Sequence, residues 1–310
     1  MASYRIHQPA SLDDEVQRIA KAQVERALAS LGELGPGEAV HDVRKRCKKV
    51  RALLRLVEAS MEGRVRKQEN ARFREIASCL SGARETSVVV ETFDDLLAAY
   101  DHPFDETTVG PVREALVGSI PGEASELDEQ MVVARERLTE AGDRISAWSL
   151  DDDGVDAWRG GFVRSYARGR RGLDAAVAAP STEGLHEWRK RVKDHGYHLR
   201  ILQDCWPREL TGRREAFEEL GELLGLDHDL AALRDLLTDR LERRRAPRGA
   251  AALRALADDR RAQVQARAMA LGTRCFAESP SALAERVSVY WHVWAQEHGD
   301  MRGGRRASPR

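Results

Sequence analysis

Basic side chains and a leading histidine recur at the same spacing in two stretches of the chain. Residues 41–55 read HDVRKRCKKVRALLR, and residues 186–200, which lie 145 positions further on, read HEWRKRVKDHGYHLR. Lysine offers a point charge, arginine offers forked donors that match phosphate oxygens, and histidine can donate to the same oxygens. Because these residue types recur in register, the repeat predicts a site that binds an anion.

On a helix, each stretch gathers its basic residues onto one face. At 100° per residue the basic and apolar positions fall on opposite sides, and a rise of about 1.5 Å per residue makes each basic face roughly 21 Å long. The first basic stripe consists of His41, Arg44, Lys45, Lys48, Arg51 and Arg55. The second basic stripe consists of His186, Arg189, Lys190, Lys193, Tyr197 and Arg200. The apolar faces that back them carry Val43, Cys47, Val50 and Leu54, and Trp188, Val192, Leu199 and Leu202.

The overall charge hides this local concentration of cations. The chain has 50 basic and 51 acidic residues and a formal net charge of −1, so no global field indicates a polyanion partner. The acids collect around 91–106, 123–129 and 151–153, whereas the bases collect on the two repeat helices. The charge is therefore segregated along the sequence.

Composition favours a soluble helical protein. The 310 residues are 42% hydrophobic and only 5% aromatic, and the length allows two bundle-sized units. The four cysteines stand singly, which favours neither a disulfide framework nor a thiolate zinc site. The first residues lack an apolar segment and no run approaches 18 apolar residues, so neither a secretion signal nor a membrane span is predicted. The reducing cytoplasm is the expected compartment.

Helical periodicity, interrupted by proline and glycine, predicts an all-α chain. The expected helices of the first half cover 11–31, 39–60, 65–82, 84–100 and 124–148, with a short helix between 102 and 122. Those of the second half cover 155–178, 181–204, 207–224, 228–246, 247–272 and 281–298. Ser181 is the expected N-cap of one of them. The β-like run at 87–92 has helical flanks and is expected to be helical, and residues 301–310 are expected to form a disordered tail.

The repeat extends beyond the basic helices. Residues 73–80 resemble residues 217–224 at an offset of 144, so the chain contains two similar helical halves. We expect residues 1–150 and 151–300 to form two bundles of about four long helices each, related by a pseudo-twofold axis. Equivalent helices would then meet near the axis, and the two basic stripes would line a positively charged cleft that focuses its field on an anion.

The duplicated pattern His-x-x-Arg-Lys-Arg-x-Lys resembles the conserved-histidine α-helical domain, the CHAD family. LSGARE at 80–85 and LGLDHD at 224–229 extend the resemblance, as do Asn70-x-x-Phe73-Arg74 and YARGR at 166–170, and it covers roughly residues 5–298. The resemblance implies two pseudo-symmetric four-helix bundles around a basic central channel. It also implies binding of long-chain inorganic polyphosphate without cleavage, and with it association with polyphosphate granules.

The resemblance also implies which residues touch the ligand. It carries over to every member of the two basic stripes and, in addition, to Arg74 and Arg170. Glu85 departs from the family pattern, which usually has Asp at that position. No metal or cofactor is implied. No Ser/His/Asp set, glycine-rich phosphate loop or pair of acids stands out in the sequence, so no catalytic residue is expected.

Nucleic acid remains a weaker alternative ligand. Basic helices bind the phosphate backbone of nucleic acids, and counterion release favours any polyanion. However, the stripes hold a single aromatic side chain, Tyr197, on which a base could stack. We therefore expect RNA to bind less tightly than polyphosphate.

The histidines also suggest a metal-dependent phosphohydrolase. His195 and His198 are spaced as two ligands on one helix, and His228-Asp229 resembles a phosphohydrolase motif. Against this reading, His195 and His198 point to the apolar side and the surrounding cations would repel a metal ion. We expect His228-Asp229 to open a helix, where the carboxylate offsets the helix dipole. For His41 and His186 two readings remain, donors at the mouth of the cleft or buried packing residues.

Overall fold

The chain folds into α-helices joined by short connections. The computed structural model describes residues 4–80, 85–101, 104–117, 124–242 and 249–303, and no β-strand occurs in these ranges. The prediction of an all-α fold is confirmed. The helices are α1 (Leu12–Glu33), α2 (Pro36–Leu56), α3 (Gly63–Cys79), α4 (Glu85–Ala99), α5 (Glu106–Val117), α6 (Ala124–Ile145), α7 (Gly154–Ala178), α8 (Thr182–Leu202), α9 (Pro207–Glu242), α10 (Ala250–Cys275) and α11 (Pro280–Gly303).

Local sequence signals explain where the two repeat helices, α2 and α8, begin. Pro36 lies in the first turn of α2, where its missing N–H costs nothing because that donor has no partner within the helix. Ser181 caps α8, and its hydroxyl accepts a hydrogen bond from the Gly184 N–H at 3.1 Å. The predicted N-cap is therefore confirmed. The short helix expected between 102 and 122 is α5, and the β-like run at 87–92 lies inside α4.

One predicted break is wrong. The structure has a single helix, α9, where the sequence predicted two helices separated at 225–227. Gly221 and Gly225 suggested weak helix there, but an interior glycine costs only about 1 kcal/mol relative to alanine. Here both glycines face basic side chains of α8, and buried Asp227 accepts hydrogen bonds from Arg261 at 3.0 Å and from Gln265. Tertiary packing thus keeps the helix continuous.

The end of the chain also differs from the expectation. Helix α11 continues through residues 301–303, the first part of the predicted tail, and residues 304–310 lie outside the described ranges. Earlier in α11, Trp291 and Trp294 belong to the core and His292 is exposed.

Two hydrophobic clusters stabilise the fold. The larger one joins α1, α2, α3 and α6 to α7, α8, α11, the first part of α9 and the last part of α10. The smaller one packs α4 and α5 against the later part of α9 and the start of α10, with Phe93, Leu116, Leu233 and Leu253 at its centre. Each cluster contains residues from both sides of residue 150. The two-bundle arrangement with a pseudo-twofold axis stays a prediction.

The helices are amphipathic or buried within this fold, and none of those described is long and apolar enough to cross a membrane.

Candidate anion-binding site

The two repeat helices are in direct contact. The guanidinium of Arg55 on α2 forms an ion pair with Asp194 on α8, with 2.6 Å between Nη2 and Oδ1. Nearby, His198 Nε2 on α8 donates to the carbonyl oxygen of Ala52 on α2 at 2.9 Å. Because the residue numbers rise on α2 as they fall on α8, the helices run antiparallel here. The prediction that the equivalent helices meet is confirmed.

Helix α3 orients the arginines of the first basic stripe. The side-chain oxygen of Asn70 accepts from Arg51 Nε at 3.2 Å and from Arg55 Nη1 at 3.4 Å. Arg44 donates to the carbonyl of Leu80 at 3.1 Å, at the end of the same helix. These acceptors are neutral oxygens, so they fix the direction of a guanidinium without cancelling its charge.

The remaining members of the first stripe face solvent. His41, Lys45 and Lys48 are exposed on α2, and Arg74 is exposed on α3. Arg74 lies near enough to Arg51 to contribute to its pKa, which is lowered by burial first, then by Arg55, and also by Arg74. The structure therefore brings Arg74 to the first stripe.

A glycine groove on α9 receives two cations of the second basic stripe. A Cβ added to Gly225 would lie 2.9 Å from Arg189 Nη2, and one added to Gly221 would lie 3.0 Å from Lys193 Cε. The two glycines are one helical turn apart, so any larger residue would push these long side chains outward. The glycines thus leave room for the ends of these two flexible side chains against α9.

A histidine pair closes the same interface one turn further on. The rings of His186 on α8 and His228 on α9 stack with centroids 4.2 Å apart and planes inclined by 31°. His228 lies inside α9, so the prediction that His228-Asp229 opens a helix is wrong. Burial, followed by His228 and the neighbouring cations Lys190 and Arg189, lowers the pKa of His186 to about 4. His186 is therefore neutral at pH 7 in the unliganded protein.

Acids offset part of the charge of the second stripe. Lys190 pairs with Glu187, and Arg191 lies 3.4 Å from the same carboxylate. Arg200 lies 3.6 Å from Glu218, which also pairs with Arg214. Both stripes thus contain cations that are paired with acids, Arg55 with Asp194 in the first stripe and Lys190 with Glu187 in the second.

The two stripes share one electrostatic field. Burial lowers the pKa of Lys193, and so do Arg189 and, from the opposite stripe, Lys45, although Glu222 and Glu218 act in the other direction. Burial is the main cause of this shift, and the effect of Lys45 is smaller than those of the two acids, but it shows that the two stripes lie near enough to influence each other. An anion placed between the stripes would interact favourably with both.

Two residues that the sequence assigned to the ligand site, Arg170 and Tyr197, contact other parts of the protein. Arg170 donates to the carbonyl oxygen of Glu278 at 3.2 Å, at the connection between α10 and α11, and is not brought to the stripes. Tyr197 is half-buried, and its ring meets the Tyr4 ring edge-on at 6.0 Å.

His195 and His198 form a buried network around Ser165, as their apolar-side position predicted. The Ser165 hydroxyl lies 3.0 Å from His195 Nδ1 and 2.9 Å from His198 Nδ1. His198 Nε2 donates to the Ala52 carbonyl, so its Nδ1 can only accept. The single proton of the Ser165 hydroxyl is shared between this nitrogen and the Phe162 carbonyl, which also lies 2.9 Å away, while His195 Nδ1 can donate to the hydroxyl oxygen. Burial keeps both rings neutral by lowering the pKa, to about 3 for His198.

Metal binding finds no support in this geometry. Within the described part of the chain, no three His, Cys, Asp or Glu side chains are grouped so that they could hold a metal ion. The nitrogens of His198 are occupied by Ala52 and Ser165.

Sequence reasoning missed Asn70 as a positioning residue, although it belongs to the quoted Asn-x-x-Phe-Arg motif. It also missed Lys49, which is buried on α2 beside the Tyr4 ring, and the stacking partner His228. The charged Lys49 stands on the edge of the apolar face, and the sequence held no signal of its burial.

Comparison with known proteins gives one match. A family model described as the CHAD domain matches residues 17–238, more than two thirds of the chain, and this region includes both basic stripes. No significant match was found among curated proteins or among solved structures.

Proposed function

The chain belongs to the CHAD family, and from that premise we propose that it binds long-chain inorganic polyphosphate along the two basic stripes without cleaving it. The observation that carries the proposal is the direct antiparallel contact between α2 and α8. This contact brings together two helices from distant parts of the sequence, each of which carries a row of cations. A linear chain of phosphates, with one charge per internal unit, suits such a linear array of donors.

The cations differ in how they would hold the ligand. Arg51 is oriented by Asn70 before the ligand arrives, so little side-chain entropy is lost when a phosphate binds to it, whereas Arg55 is already paired with Asp194. Lys45 and Lys48 are exposed and would act as mobile point charges. Affinity would come from many such contacts and from counterion release, and it should rise with polymer length.

Single-stranded RNA is disfavoured by the placement of the aromatic side chain in the stripes. Tyr197 is half-buried and contacts Tyr4, so only part of its ring is available for a base to stack on. Within a cell, a polyphosphate-binding chain would accumulate where polyphosphate does, and we extend the proposal to association with polyphosphate granules in the cytoplasm.

A competition experiment tests this proposal. Fluorescently labelled long-chain polyphosphate is bound to the protein, and unlabelled polyphosphate or single-stranded RNA of equal total charge is added at fixed salt. We expect polyphosphate to displace the probe at lower concentration. Equal or tighter competition by RNA would refute the assignment. The variant Arg113→Ala, which removes a surface cation paired with Asp94 on α4, should bind like the parent.

A further inference from the structure

One ion pair between the two repeat helices has no equivalent at the corresponding positions of the two repeats. Arg55 and Asp194 form an ion pair across it. At the repeat offset of 145 positions, the counterparts of Arg55 and Asp194 are Arg200 and Lys49. The first repeat thus places a cation where the second places an acid, so Arg200 lacks the partner that Arg55 has.

Lys49 is buried at this position. Its residue is only 6% exposed, and among the described residues no carboxylate lies within ion-pair distance of it. Its ammonium nitrogen lies 5.0 Å from the centre of the Tyr4 ring, and the hydroxyl of Tyr4 donates to the Lys49 carbonyl. Burial, followed by the cations around it, lowers the pKa of Lys49 to about 7.

The charged groups that act most strongly on Lys49 are all cations. The groups that face it are Tyr4 from the N-terminal segment, Arg26 from α1, Lys45 and Arg46 from α2, and Arg200 from α8. Arg46 is already paired with Asp42 at 3.0 Å, whereas the contact of Arg200 with Glu218 is longer, at 3.6 Å, and that acid is shared with another arginine. Arg200 is therefore the neighbour on α8 that an incoming anion can still reach.

We propose that Lys49 and Arg200 form an anion subsite that joins the two basic stripes, and that Lys49 gains a proton when a phosphate group of polyphosphate occupies it. The inference rests on the proposed function and adds to it a residue and a pH dependence. A negative charge beside Arg200 reduces both the repulsion on Lys49 and the cost of holding an ammonium ion out of water, so it favours the protonated form. An acid at position 49 would instead neutralise Arg200 permanently.

The affinity for polyphosphate should depend on pH, because the protonation state of Lys49 changes near pH 7. Below about pH 6 most Lys49 side chains are protonated before the ligand binds, whereas above about pH 8 most are neutral and must take up a proton. Binding should therefore take up almost one additional proton at about pH 8.5. The affinity should fall as the pH rises above 7, by at most about tenfold per pH unit.

Calorimetric titration of the full chain with long-chain sodium polyphosphate measures this uptake. Each titration is repeated in two buffers of different ionisation enthalpy, at about pH 6 and at about pH 8.5. We expect an uptake near one proton at the higher pH for the parent protein. The variants Lys49→Met and Lys49→Arg, which cannot titrate in this range, should lose it. The matched control Lys48→Met removes an exposed neighbouring cation and should weaken binding while it keeps the uptake.

The outcomes separate this inference from the proposed function. If the parent binds polyphosphate and Lys49→Met takes up as many protons as the parent, the subsite is refuted while polyphosphate binding stands. The same conclusion follows if Lys48→Met abolishes the uptake equally. If the parent does not bind polyphosphate at either pH, both proposals are overturned. Should Lys49→Arg fail to fit the buried site, Lys49→Met carries the comparison.

Discussion

Removing two cations from either stripe should change how binding responds to salt. The first variant combines Arg44→Ala with Lys48→Ala, and the second combines Arg189→Ala with Lys193→Ala. If each side chain contacts one phosphate, each double variant loses two contacts, and the slope of log affinity against log salt should become shallower by about 1.4 to 1.8. Between about 50 and 200 mM salt, the parent would then lose about tenfold more affinity than either variant.

The assay is a salt titration of polyphosphate binding by anisotropy, with thermal unfolding measured in parallel. Both variants should unfold within about 4 °C of the parent, because removal of neighbouring like charges relieves repulsion and offsets the lost contacts. A control that combines Arg113→Ala with Arg159→Ala removes two surface cations that pair with acids away from the stripes, and it should keep the parent slope.

Three results would contradict the prediction that both stripes bind the ligand. If one double variant changes the slope and the other does not, the ligand follows one helix alone and the contact between α2 and α8 has no role in binding. If both variants keep the parent slope, the stripes are solvated faces, and polyphosphate binding cannot be assigned to them. A slope change equal to that of the control would indicate a nonspecific effect of net charge.

Three further predictions test individual parts of the site. Dialysis against a chelator should leave polyphosphate binding and helicity unchanged, and a stoichiometric loss of zinc or manganese together with binding would revive the hydrolase alternative. Asn70→Ala should weaken binding about fivefold, equivalent to about 1 kcal/mol, with an unchanged salt slope because no charge is lost, whereas Asn70→Asp should also flatten the slope. Ser165→Ala should destabilise the fold by about 1–3 kcal/mol, since it leaves ring nitrogens of His195 and His198 without a partner, but should not alter binding. Ser288→Ala, whose hydroxyl bonds only to its own helix, should cost less.

Sequence periodicity was sufficient for most of the fold. It predicted the helices, the N-cap of α8 and the apolar side of His195 and His198, because these depend on residues within one helix. It was wrong at 225–227, where two glycines of α9 make room for side chains of α8. That requirement belongs to the packing of two helices, and a single-helix pattern cannot contain it.

Contacts between helices also could not be predicted from the sequence at the candidate site. The repeat identified which residues are basic and which face they share, but not what each one touches. Arg170 is at a motif position and nevertheless holds the connection between α10 and α11. Lys49 lies one position beyond Lys48 in a run of cations, and only the structure shows that Lys49 is buried beside Tyr4 while Lys48 is exposed.

A net charge of −1 does not argue against the proposed binding of a polyanion, because of how the arginines are paired. At the surface, arginines such as Arg113 and Arg159 lie beside carboxylates, and their charges are cancelled locally. In the first stripe, Arg51 is held by the amide oxygen of Asn70, which gives direction without neutralisation. The total charge is thus compatible with the proposed function, since a phosphate chain responds to the field within about 8–10 Å and not to the sum over the protein.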